Sequence, residues 1–187
     1  VAELVVDRAP GQLRVAVLGM DASPTRDTAA RAVETAGHAV AFSASLDGEA
    51  TRTLPGVYEA VRQVWQVEPD VVLVAASADQ RTDALMGQLG AALGESQLEG
   101  ERAPLLLFCG AFPLREALDA GLKGRLPARS VPELCPDANR ENLEPLKAVL
   151  AACRVRYVRY EADHTPSVPE LQLLVPPASA PMPPGAA

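Results

Sequence analysis

Along most of the chain, short unbroken apolar runs alternate with longer stretches in which apolar residues recur every three or four positions. The first pattern suits strands covered on both faces, the second helices with one buried side. Residues 13–18 (LRVAVL) predict a strand ending at Gly19. Ser23-Pro24 then predicts a helix start, because Ser accepts a bond from an orphan N–H and Pro gives up a donor that the first turn cannot use. Ala29, Ala30, Val33 and Ala36 supply that helix with a small-residue face, and Gly37 is a suitable left-handed stop. The next strand is expected over 38–43 (HAVAFS), followed by a loop with Asp47-Gly48. A helix over about 55–67 places Val57, Val61, Val64 and Trp65 on one side, and at that spacing Trp65 reads as core.

Pro69-Asp70 ends the helix and introduces 71–75 (VVLVA), the plainest buried strand in the sequence. A helix over about 82–93 carries Leu85, Met86, Leu89 and Leu93, and 94–102 reads as a polar loop. Residues 105–109 (LLLFC) predict another buried strand, stopped by Gly110 and followed by a helix over 113–122. Val131 closes a weak strand, 142–152 reads as a helix with Pro145 in its first turn, and 154–160 (RVRYVRY) alternates as an edge strand does. Strands alternating with helices of this length mean βαβ units. The expected fold is a three-layer, doubly wound α/β sandwich of Rossmann or flavodoxin type, with a mainly parallel sheet of five or six strands. The α/β domain is expected over 13–160, after an N-terminal extension at 1–12. Seven of the 17 prolines lie in 166–187, so 161–187 reads as a Pro/Ala-rich tail or linker, although 170–175 (ELQLLV) has the character of a docking segment.

Composition narrows the function. With 187 residues, 48% of them hydrophobic, the chain has enough apolar surface for a core. Its net charge of −7 gives it no general attraction for a phosphate backbone, so nucleic acid is not an expected partner. No apolar run approaches the ~20 residues that cross a bilayer, and no membrane span is expected. The chain opens on Val1 and nothing near it reads as a signal peptide, so a piece of a longer, cytoplasmic polypeptide is expected. Cys109, Cys135 and Cys153 are widely spaced and form no CxxC pair, as expected of reduced thiols. With only His38 and His164 available, neither a zinc site nor a His-based triad has material to build from.

In open α/β sheets ligands collect beyond the carboxyl ends of the strands. The loops there contain Gly19, Asp21, Ser23, Ser77, Asp79 and Gly110, the candidate ligand-binding residues. The first loop opens a helix, which favours anions, but it lacks GxGxxG and GxxxxGK[ST]. Ser23 as a plain N-cap is the simpler expectation. Asp21 and Asp79 follow strand ends, where two carboxylates can hold Mg²⁺, but the lysine of a phosphotransfer receiver is missing and turn or cap roles explain both. Cys109 has no basic neighbour in sequence to make it a thiolate and reads as packing.

The order of segments 11–20 (GQLRVAVLGM), 28–40 (TAARAVETAGHAV), 68–93 (EPDVVLVAASADQRTDALMGQLGAAL), 104–110 (PLLLFCG) and 131–150 (VPELCPDANRENLEPLKAVL) resembles the glutamate mutase-associated MutL family. The resemblance covers about 11–152, the middle part of such a protein. It implies kinship with acetate kinase and actin-type ATPases and a link to reactivation of adenosylcobalamin-dependent mutases; the mismatch-repair protein of the same name is unrelated. The family's N-terminal phosphate loop and second ATPase half have no counterpart here. Its glycine-rich segment after the PD strand is replaced by residues 75–81 (AASADQR), where only Asp79 keeps its place, and its AGN-type turn becomes Cys109-Gly110-Ala111. Added Cβ atoms obstruct close backbone approach to a nucleotide, so the resemblance implies a diverged, non-catalytic relative.

The leading expectation is therefore a non-enzymatic module acting through protein–protein contact, its partner a separate protein or the rest of a larger polypeptide. No cofactor, catalytic residue or metal is expected. The alternative is a small-molecule module, nucleotide- or cobalamin-related, using the strand-end loops; Asp21-Ala22-Ser23-Pro24-Thr25-Arg26 lacks the His and Gly of the usual cobalamin lower-ligand motif. A third possibility is an enzyme whose Asp21 and Asp79 hold a metal.

Overall fold

Where β-rich runs are bounded by turn residues, strands form. The computed structural model describes residues 12–77, 82–96, 104–136 and 140–153. Its strands are β1 (Arg14–Gly19), β2 (Ala39–Ser45), β3 (Val71–Ala75), β4 (Leu105–Cys109) and β5 (Ala128–Val131). Between them lie α1 (Thr25–Thr35), α2 (Leu54–Gln66), α3 (Thr82–Glu95) and α4 (Phe112–Leu122), with a 3-10 turn over Glu49–Arg52 before α2; α5 (Glu144–Ala152) follows β5. All strands pair in parallel in the order β2-β1-β3-β4-β5, the flavodoxin-like member of the expected pair.

Alternate residues of each strand face opposite sides of the sheet, and both sides are apolar. Val72, Val74, Leu106 and Phe108 pack with Val57, Val61, Val64, Met86, Leu89 and Leu118, so α2, α3 and α4 form one layer. Val71, Leu73, Leu105 and Leu107 pack with Ala29, Ala32, Val33, Leu146 and Leu150, so α1 and α5 form the other. This is the three-layer sandwich that the hydrophobic pattern predicts.

Several local expectations change. On α1 the buried apolar positions are Ala29, Ala32 and Val33, joined by Thr25 and Thr28; Ala30 lies one position off the 29–32–33–36 stripe and is only half-buried. Trp65 is half-buried, packed against the edge of the α2–α4 layer rather than set within it. His38 is structural: Nδ1 accepts from the Leu13 N–H at 3.3 Å and Nε2 lies 3.0 Å from the Leu150 carbonyl, which pins the start of β2 to α5. Gly37 has φ +83°, as its role at the helix end requires. The expected edge strand at 154–160, the tail at 161–187 and residues 1–11 of the N-terminal extension lie outside the described residues. No helix among the described residues is long and apolar enough to cross a membrane.

The layer of α2, α3 and α4 contains an unusually close helix pair. A Cβ built on Gly90 of α3 would stand 2.2 Å from the Leu118 carbonyl oxygen of α4, and one on Gly121 would stand 2.3 Å from the Gly87 carbonyl oxygen. Backbone meets backbone, so neither side can yield by rotating a side chain. Gly90→Ala is therefore expected to lose about 2–4 kcal/mol in urea unfolding, despite a helix-propensity gain of about 1 kcal/mol. At Gly37 nothing lies within 4 Å of the added Cβ, and Gly37→Ala should lose only about 1 kcal/mol, from the positive φ alone.

Candidate functional site

The chain passes from β1 outward to β2 and returns to β3 on the far side of β1, so the switch in strand order falls between β1 and β3. A doubly wound sheet presents its crevice there. In this chain the crevice is filled by the protein's own polar groups. Thr25, buried at the start of α1, accepts from the Met20 N–H and donates to the Ala75 carbonyl, both at 3.0 Å. One hydroxyl thus joins the end of β1, the start of α1 and the end of β3. Beside it the Ser77 hydroxyl donates to the Ser23 hydroxyl at 2.6 Å.

Asp47 closes the other side. Its carboxylate accepts from the backbone N–H groups of Asp21 and Ala22 and from the Ser45 hydroxyl, each at 2.7 Å. Amides in a strand-to-helix loop are what a phosphate would use; here an internal carboxylate takes them. Partial burial pushes the Asp47 pKa up, but the bonds from Asp21, Ser45 and Ala22 together outweigh it and hold the carboxyl below its ordinary value of 3.8.

The sequence-derived candidates fall into place around this lock. Gly19 is packed against helix α1: an added Cβ would be 2.4 Å from the Arg26 Cα. Gly110 serves the same end at β4, where a Cβ would be 2.6 Å from the Ala76 carbonyl oxygen and 2.8 Å from the Phe108 ring. Asp21 is exposed and its carboxylate meets the Arg26 guanidinium at 3.1 Å. Ser23 is not the N-cap: Pro24 holds that position without a side-chain bond, and the Ser23 hydroxyl is taken by Ser77. The structure thus brings Ser23 and Ser77 together, with Gly19 and Asp21 in the same loop, and sets Gly110 beside Ala76. Asp79 lies outside the described residues. Among the described residues no three His, Cys, Asp or Glu side chains converge on a metal-sized site.

Ala75 and Ala76 are buried on opposite faces of the sheet, so their Cβ atoms fill core. Cys109 is buried and its pKa is pushed up to about 12 by that burial, leaving no thiolate near neutral pH. Asp47 and Thr25 were missed by sequence reasoning. The legible signal for Asp47 is its place in the Asp47-Gly48 loop, four residues beyond the expected strand end at 43 and two beyond the observed end of β2; for Thr25 nothing short of the fold points to β3.

A cavity of about 500 Å³ adjoins the lock, lined by Met20, Leu46, Asp47, Thr82, Leu85 and Gln88. The Thr82 hydroxyl, in a residue 2% exposed, has no hydrogen-bond partner among the described residues.

Compared with known proteins, the chain matches the family model described as MutL protein over residues 2–178. The match is wider than the 11–152 legible by eye, reaching into both flanking segments. No curated protein matches the chain.

Removing the internal carboxylate leaves two amides without their acceptor. Because water can reach those exposed amides, Asp47→Ala is expected to lose only about 0.5–1.5 kcal/mol in chemical unfolding, and Asp47→Asn, which keeps one acceptor oxygen, less. Because the folded pKa is depressed, the wild-type advantage is fully present above the ordinary carboxyl value and lost as pH falls through the folded value. Unfolding midpoints of wild type and Asp47→Ala should therefore differ at pH 7 and converge only below about pH 4.

Proposed function

This chain belongs to the glutamate mutase-associated MutL family, and we propose that within it the chain is a non-catalytic α/β module acting through protein–protein contact. One observation carries the reading: among the described residues, the two large apolar side chains left in solvent, Leu54 at 48% and Phe112 at 71% exposed, are the first residues of α2 and α4. Both helices begin at the carboxyl edge of the sheet, where such folds ordinarily hold ligands. Here the switch-point crevice is occupied by Asp47, Thr25, Ser23 and Ser77, while apolar contacts remain on offer beside it. Exposed aromatic residues of this kind anchor protein interfaces.

The partner is a separate protein or the remainder of a larger MutL-type polypeptide, met in the cytoplasm. The net charge of −7 argues against nucleic acid. Residues 13–160 act as the α/β unit, with 161–187 as tail or linker. The alternative, a small-molecule module of nucleotide- or cobalamin-related type, has one observation in its favour: the cavity beside Asp47 with the unpartnered Thr82 hydroxyl.

Two measurements decide. In a thermal-shift panel of Mg-ATP, Mg-ADP, adenosylcobalamin, flavins and nicotinamide nucleotides, the proposal expects no movement. A ligand at about 100 times its dissociation constant adds about 2.7 kcal/mol, worth several degrees in a domain this size, and such a shift would establish the alternative. Phe112→Asp should weaken association with the remainder of a MutL-type polypeptide by about tenfold or more while leaving the melting temperature unchanged. Unaltered association would remove this edge as the interface.

A further inference from the structure

A second surface, on the outer side of α2, has features that neither the crevice nor the exposed edge explains. A groove of about 780 Å³ runs along this helix, lined by Pro55, Tyr58, Arg62, Trp65, Glu68 and Ser96. Two aromatic rings and a proline form its walls. The Tyr58 hydroxyl donates to a Glu95 carboxylate oxygen at 2.5 Å, which braces that ring against the end of α3. The Arg62 guanidinium makes a two-pronged pair with Glu59, at 2.7 and 2.9 Å, which leaves Glu68 as the further charged group of the wall. Trp65 is half-buried, and its Nε1–H is covered, with no acceptor among the described residues.

The chain contains a segment with the matching chemistry. Residues 176–184 (PPASAPMPP) carry five prolines and no charge, and nothing from 171 to 187 is ionisable in its side chain. Proline-dense sequence favours the polyproline II form, whose carbonyls have no internal partners and which aromatic grooves recognise. Nine residues in that form extend about 28 Å at ~3.1 Å each. The thirteen residues of α2 extend about 20 Å at ~1.5 Å each, so the segment is long enough to run the length of the groove. The last described residue, Cys153, is followed by 22 residues before Pro176. At ~3.3 Å per residue they reach up to about 70 Å, well beyond the width of a domain this size.

We infer that the groove along α2 is a docking site for the chain's own proline-rich segment, residues 176–184, laid across Tyr58 and Trp65 in polyproline II form. The rings of the two aromatic residues supply the apolar face on which the prolines pack.

Trp65 is the only tryptophan in the chain and reports on the groove by itself. The test uses the full chain and a variant with Pro176, Pro177, Pro181, Pro183 and Pro184 all replaced by Ser. Acrylamide quenching of Trp65 fluorescence and the position of its indole N–H resonance are read in both, with far-ultraviolet circular dichroism to confirm an unchanged fold. The expected result is severalfold stronger quenching and a shifted indole resonance in the variant, both restored by adding a synthetic peptide of residues 174–185. A second variant, Tyr58→Ala in the full chain, should show the same rise in quenching without any change to the prolines. Identical quenching and resonance position with and without the prolines would overturn the inference. Protection that disappears on dilution would overturn it too, by assigning the groove to a second copy of the chain.

Discussion

A parallel sheet whose two faces are both apolar must be covered twice, and every other feature of this chain follows from that requirement. Apart from the half-buried Arg14 at the start of β1, strands β1, β3 and β4 are buried throughout. The chain therefore sends α1 and α5 to one side and α2, α3 and α4 to the other. The second layer has three helices, and α3 and α4 lie so close that Gly90 and Gly121 meet the opposite backbone directly. With both faces covered, what remains for function is the rim of the sheet and the outer surfaces of the helices.

At the carboxyl rim the chain satisfies its own polar groups. The loop amides of Asp21 and Ala22 face the Asp47 carboxylate, Thr25 spans β1 and β3, and Gly19 and Gly110 are consumed by packing. An incoming anion would have to displace a carboxylate held by three bonds of 2.7 Å. That arrangement is the strand-end rim of this member of the MutL family. It also explains why the surface features left over are apolar: Leu54 and Phe112 at the rim, Tyr58 and Trp65 on the outer side of α2.

Much of the fold was legible beforehand because it depends on local periodicity. Runs such as 71–75 and 105–109 can only be satisfied between two helical layers, and the recurrence of Val57, Val61 and Val64 fixes which side of α2 turns inward. Pro69-Asp70 and Gly37 marked their boundaries by backbone chemistry alone. Even the family was visible in the order of segments, although the eye stopped at 152 where the full match runs to 178. Trp65 shows where periodicity misleads: its spacing is that of the core, yet it sits half-buried at the layer's edge, where no further helix among the described residues covers α2.

What the sequence alone determined was the type, order and inward face of the elements, since these follow from residue period and turn chemistry within a dozen positions. What only the tertiary structure decided was the partner of each polar group at the rim. Ser23 looked like a cap because Ser before Pro usually is one, but Ser77, 54 residues away, took its hydroxyl. Asp47 looked like part of a turn until the β1–β2 pairing brought it to amides 25 and 26 positions earlier. Hydrogen bonds across such separations depend on strand order and register, which are global properties of the packed sheet, so no local pattern in the chain encodes them.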